Sequence, residues 1–190
     1  YISGNAKIFD ADNTSEINLF AAKTDVNSSE KSSVRAKASD NSIAAQVEIK
    51  KENDLEKLAK VPSFELTDQN GKKISDKTYL GKVYVVEFFF ANCLTICPIM
   101  NKNLVQVQDE FYGNLDFGIA SITIDPEHDT PAFLKEHAKA LGVKHPNWHF
   151  LSGNSDYIMN LANKGFYIQA GKDAKAQGGF GHSGQFALID

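Results

Sequence analysis

The sequence predicts an α/β architecture, a small central sheet flanked by helices, with an N-terminal extension in front of it. Two observations carry that expectation. Across residues 61–190, short runs of β-branched and aromatic residues alternate with segments of helical period, and strands alternating with helices imply a parallel core with helices on both faces. Residues 1–60 lack that texture, with three aromatics (Tyr1, Phe9, Phe20) against seventeen in the remainder.

Within residues 1–60, the stretch 24–41 is rich in Ser, Asn, Lys and Asp and has no hydrophobic period. Such a segment buries too little apolar surface to offset its ordering entropy, so a linker or mobile arm is expected. Residues 8–22 and 43–49 have enough apolar content to add edge strands, and residues 52–60 to form a short polar helix. From Val61 the elements follow in order. Phe64, Leu66 and Ile74 flank Asp68-Gln-Asn-Gly71, a turn between two short extended pieces. Residues 83–90, Val-Tyr-Val-Val-Glu-Phe-Phe-Phe, read as a central strand covered on both faces. Residues 98–112 place Ile99, Leu104, Val107 and Phe111 close to helical spacing and stop at Gly113. A second strand spans 117–124. A second helix spans 131–141, with Thr130 as N-cap, Pro131 at its first position and Gly142 past its end. Residues 148–151 are short and extended, 155–164 form a third helix closed by Gly165, and 186–189 form a final strand.

Composition narrows the class. The hydrophobic fraction of 42% and charged fraction of 23% are those of an ordinary soluble protein. A net charge of −4 offers no basic excess for a phosphate backbone, so nucleic acid is not an expected partner. The longest apolar run, residues 83–90, is interrupted by Glu87 and is far too short to span a bilayer. The chain opens on Tyr1 rather than Met, so a processed form is expected, with any signal peptide or membrane anchor upstream of it.

The two cysteines, Cys93 and Cys97, lie between the most hydrophobic strand and the first helix. Pro98 is favoured at the first helical position and pushes its predecessor out of the α region, which puts Cys97 at the N-cap and Cys93 in the loop above. Free amides and the helix dipole there favour thiolate, so both thiols are expected to be acidic. Two such thiolates suit dithiol redox chemistry or a soft metal; the bland alternative is a structural disulfide or two buried thiols. Dithiol oxidoreductases usually separate their cysteines by two residues, and here there are three, which leaves room for a metal. Of five histidines, His128, His137, His145 and His149 read individually as surface or core-edge residues. His182 differs, because it sits in Gly178-Gly-Phe-Gly-His-Ser-Gly184, where glycines let backbone approach another element. Cys, Cys and His together suit copper or zinc by softness. Spacing alone leaves His182 open as ligand or loop residue.

Four motifs in order then resemble the Sco/SenC family of copper proteins across residues 61–190. They are Cys93-Leu-Thr-Ile-Cys97-Pro98, Ile122-Thr-Ile-Asp-Pro-Glu-His-Asp-Thr-Pro131, Trp148-His-Phe-Leu-Ser-Gly153, and His182-Ser183 leading into Phe186-Ala-Leu-Ile-Asp190. The resemblance implies a thioredoxin-like fold in which Cys93, Cys97 and His182 bind Cu(I) or Cu(II). It also implies a chaperone role in assembling the copper centre of cytochrome oxidase, with that oxidase subunit or another copper acceptor as partner. The expected location is the periplasm or the outer face of the cytoplasmic membrane. Asp125 becomes a candidate for a partner-facing role, with a turn cap as the plain alternative. Leu94 stands where the family commonly has proline, and His128 where arginine is common. The family adds a strand and a terminal helix beyond the position of Asp190. The domain is therefore expected to lack them, leaving an exposed sheet edge unless part of residues 1–60 fills it.

Rival readings share the same residues. A thiol-disulfide oxidoreductase acting on partner proteins would use Cys93 and Cys97 as its redox-active pair and would not need His182. A peroxidase fits poorly, because the threonine-rich approach to its cysteine is absent and Cys97-Pro98 does not suit it. An interaction module whose surface responds to copper or disulfide state uses the same site.

Overall fold

The computed structural model describes residues 6–10, 60–176 and 178–190. The expected linker over 24–41, the strand at 43–49 and the bulk of the helix at 52–60 lie outside them. No helix among the described residues is long and apolar enough to cross a membrane.

Among the described residues there are nine strands: β1 (Ala6–Asp10), β2 (Glu65–Asp68), β3 (Lys73–Ser75), β4 (Val83–Phe89), β5 (Phe117–Thr123), β6 (Trp148–Ser152), β7 (Ala170–Lys172), β8 (Phe180–His182) and β9 (Gln185–Ile189). The α-helices among these residues are α1 (Cys97–Glu110), α2 (Pro131–Ala140) and α3 (Ser155–Asn160), with a 3-10 turn at Asp76–Tyr79. Seven strands form one sheet in the order β1-β9-β4-β5-β6-β2-β3, and β7 and β8 form a separate hairpin. The centre is parallel, β4 beside β5 beside β6, as the alternation of strands and helices requires. The flanks are antiparallel: β9 runs against β4, β1 against β9, β2 against β6, and β3 against β2. The sheet is therefore mixed rather than uniformly parallel, because β9 and β2 are reached by connections that reverse direction. β1 lies along the outer edge of β9, pairing Ala6 with Ile189 through Asp10 with Gln185. It thus covers an edge that would otherwise expose unpaired backbone groups.

Strand parity separates two faces. Glu87 and Phe89 share one with Ser121 and Thr123, their direct partners on β5. On that face His137 of α2 stacks on Phe89, and Phe111, just past α1, stacks on Phe117. Phe88 and Phe90 point the other way, where Phe88 meets Phe166 and Phe90 meets Phe180 of β8. Phe88, Phe89 and Phe90 are all buried, which explains why the strand reads as a continuous apolar run.

Helix ends follow the sequence with two corrections. Thr130 caps α2 as expected, its hydroxyl accepting from the Phe133 N–H, and Gly142 closes it in the left-handed region at φ 75°. At α1, however, Ile99 N and Met100 N both donate to the Ile96 carbonyl, so Ile96 is the N-cap and Cys97 the first helical residue. Pro98 consequently occupies the second position, where its missing N–H is also unneeded. The third predicted helix remains α only to Asn160 and widens into a π-type turn at Leu161–Gly165. The cause is Asn163, whose side chain donates to the Ala170 carbonyl and accepts from the Ala170 N–H.

Candidate metal centre

The site lies at the C-terminal end of β4, where strand, helix and hairpin meet. In an open α/β sheet this end of the strands is where ligands are received. The loop after β4 carries Cys93, and the first turn of α1 carries Cys97 on one side of the sheet. The β7–β8 hairpin brings His182 from the other side. Ala170 pairs with His182 across the hairpin, and Ser183 N donates to the Gln169 carbonyl, which together fix the imidazole's backbone. His182 is packed edge-on against Phe90, with ring centroids 5.6 Å apart. Gly178 explains the glycines at this turn: its φ is +87°, and an added Cβ would lie 2.5 Å from the Phe90 ring.

The donor atoms of Cys93, Cys97 and His182 all lie within 4.8 Å of one another. Among the described residues no other group of three or more His, Cys, Asp or Glu side chains converges in this way. Both cysteines are reduced and buried. Cys97 Sγ is 3.0 Å from His182 Nε2, and His182 Nδ1 is 3.1 Å from the Ser183 carbonyl. A carbonyl only accepts, so Nδ1 carries the proton and Nε2 presents its lone pair to the Cys97 thiol. This is the tautomer that a metal needs, held by a hydrogen bond on the far nitrogen.

The two thiols are not equivalent. Burial alone would raise Cys93. Hydrogen bonds from the Thr95 hydroxyl, the Cys97 backbone N–H and the Thr95 backbone, with the His182 ring alongside, outweigh it and bring the thiol down to about 6. Cys97 goes the other way: burial pushes it well above the ordinary thiol value, and the neighbouring Cys93 and Glu87 push it further. The expectation of two acidic thiols is therefore corrected to one. The amides at the helix start serve the sulfur above them, Cys93, rather than the sulfur packed beneath the turn. Two sulfurs and one imidazole nitrogen make a soft, three-donor set that fits copper.

The remaining histidines are used elsewhere. His137 is stacked on Phe89 and edge-on to Phe150, His145 Nε2 is bonded to the Asn114 carbonyl, and His149 lies beside buried Asp68. His128 is exposed, with Nδ1 held by both oxygens of Asp125 at 2.8 and 2.9 Å. Asp125 also accepts at its carbonyl from His128 N and Asp129 N, which is the turn-cap arrangement. Sequence reasoning missed the β7–β8 hairpin, the Thr95 hydroxyl beside Cys93 and the Ser183 carbonyl behind His182. The glycine cluster was the one signal that pointed there; a hairpin of two three-residue strands leaves too little periodicity to read.

Fold and site together define a thioredoxin-like α/β protein whose dithiol faces an imidazole rather than solvent alone. The SCO1/SenC family profile matches residues 52–190, and the chain belongs to that family. A SCO1/SenC family lipoprotein from Bacillus anthracis superposes with a TM-score of 0.63 at 32% identity, covering 68% of this chain and 77% of its own. Yeast Sco1, solved with copper bound, gives 0.55 at 29% identity, covering 67% and 72%. BsSco, described as a cytochrome c oxidase assembly protein with a disulfide switch, gives 0.52 at 36% identity, covering 56% and 64%. The chain spans 56–62% of the length of the first curated relatives it matches.

Proposed function

We propose that this chain is a copper chaperone that binds Cu(I) or Cu(II) through Cys93, Cys97 and His182 and delivers it to a copper site of cytochrome oxidase. The observation that carries the reading is the convergence of three soft or borderline donors within 4.8 Å from segments 85 residues apart. Cu(I) prefers thiolate and tolerates low coordination, so three ligands hold it and leave a side open to an incoming thiolate. The imidazole extends the site to Cu(II). Support for the oxidase as destination comes from the family and from BsSco, and support for a place at the outer face of the membrane from the B. anthracis lipoprotein.

The test is a copper count on reduced protein given excess Cu(I) without oxygen and then challenged with a chelator. One retained copper per chain is expected, lost in Cys93→Ala and in Cys97→Ala. His182→Ala should weaken Cu(II) more than Cu(I). A folded, fully reduced protein that retains none removes the chaperone reading.

The unequal thiols favour a second reading, a thiol-disulfide oxidoreductase. The Cys93 thiolate would attack a partner's disulfide, forming a mixed disulfide and releasing one partner thiolate. Cys97, on losing its proton, would then attack Cys93 Sγ. That step releases the second partner thiolate and leaves the Cys93–Cys97 disulfide, with two electrons passed to the partner. Turnover of a protein disulfide that survives in His182→Ala would favour this enzyme over the chaperone.

A further inference from the structure

The loop that carries Cys93 is tied down by a carboxylate outside the donor set. Ala91, two residues before Cys93, donates its N–H to Asp129 Oδ2 at 3.0 Å. The same oxygen accepts the Thr123 hydroxyl at the end of β5. Asp129's own N–H donates to the Asp125 carbonyl, so its position follows from the turn that leads into α2. One oxygen atom therefore joins the end of β4, the end of β5 and the entry to α2. Asp129 is only 1% exposed, and its other oxygen is buried without a partner. His137 Nε2 on α2 is likewise buried without one, with the His137 ring stacked on Phe89 beneath the same loop. A carboxylate in so dry a place is costly unless its bonds matter. The bond it supplies is to Ala91, whose N–H lies beyond the last ladder pair of β4, Phe89 with Thr123.

We propose that Asp129 is a positioning residue for the cysteine loop, its Oδ2 holding Ala91 so that Cys93 Sγ stays converged on Cys97 and His182. It touches neither sulfur and acts through the backbone of residues 91–93. The consequence for copper rests on the chaperone reading, but the consequence for the two thiols does not.

The test therefore reads both. Asp129→Ala, Asp129→Asn and Thr123→Val are compared with the parent for Cu(I) affinity against a competing chelator. They are also compared for the equilibrium of the Cys93–Cys97 disulfide with glutathione, which measures how well the thiols are held together. Asp129→Ala is expected to lower both by about tenfold or more, the scale of leaving a buried N–H without its acceptor. Asp129→Asn keeps a carbonyl oxygen for Ala91 and is expected to stay within about threefold of the parent, since geometry rather than charge is what it supplies. Leu161→Ala, a core truncation away from the loop, is expected to lower stability and leave both values unchanged. Parent-like values in a folded Asp129→Ala protein overturn the proposal, as does an Asp129→Asn protein as impaired as Asp129→Ala. If Asp129→Ala does not fold, Thr123→Val carries the test, because it removes the hydroxyl that aims Oδ2 and also accepts the Asp125 N–H of the same turn; unchanged values there overturn it. If no variant and not the parent retains copper while the glutathione equilibrium shifts as expected, the chaperone reading fails and the positioning role stands.

Discussion

Cys93 and Cys97 stand four residues apart and differ in chemistry because one sulfur lies above the first turn of α1 and the other is packed under it. With the Cys93 thiol brought down to about 6, it is mostly thiolate at neutral pH, while burial keeps Cys97 protonated. Alkylation of the reduced, metal-free protein should modify Cys93 first, with a rate that rises through a midpoint near pH 6, as peptide mapping would show. Modification of Cys97 first would contradict the assignment. Glu87 is the second residue whose environment sets its behaviour. It is fully buried, receives the Ser121 hydroxyl on one oxygen and has no partner on the other. Burial raises it from 4.5 to about 7, with the Ser121 bond pulling slightly back. The folded protein thus holds a proton that the unfolded chain has released, and stability falls as pH rises between about 4.5 and 7. At about 1.36 kcal/mol per unit, the effect is on the order of 3 kcal/mol. Glu87→Gln should therefore gain stability over the parent between pH 5 and pH 8 in urea unfolding; a difference that does not grow with pH contradicts this.

The β7–β8 hairpin is the element on which the third donor depends. Its turn holds Gly178 at a φ that an L-residue resists, and against Phe90 at a distance that leaves no space for a Cβ. Gly178→Ala should cost about 1–3 kcal/mol of stability. Because Phe90 also packs His182, the change should weaken Cu(II) binding in the same direction as His182→Ala. Unfolding curves and a Cu(II) titration together check this, and parent-like values in both would show that the hairpin is not what holds the imidazole. At the same scale, α1 and α2 were readable because their apolar spacing, Pro98, Thr130, Gly113 and Gly142 act locally. The widened end of α3 was not, since it depends on Asn163 reaching Ala170, a contact that no local pattern encodes.

For the whole molecule, the parallel centre β4-β5-β6 was legible because each strand is followed by a segment of helical period. The antiparallel flanks were not, because the direction of β9 beside β4 is decided by the hairpin that precedes it, and two short strands separated by glycines carry no period. The edge strand β1 overlaps one stretch the composition had offered, residues 8–22, at residues 8–10 only. Cys93 and Cys97 announce themselves by spacing, whereas His182 joins them only through tertiary approach. Its place in the sequence shows a glycine cluster and nothing of the 3.0 Å separation from Cys97.

The most direct measurement of the central claim is X-ray absorption at the copper edge on Cu(I)-loaded protein, beside the His182→Ala variant. Two sulfur scatterers and one imidazole nitrogen are expected around the metal, with the nitrogen signal absent from the variant. A parent spectrum with sulfur alone, or one unchanged by His182→Ala, would contradict the assignment of His182 as a ligand and leave the dithiol reading in its place.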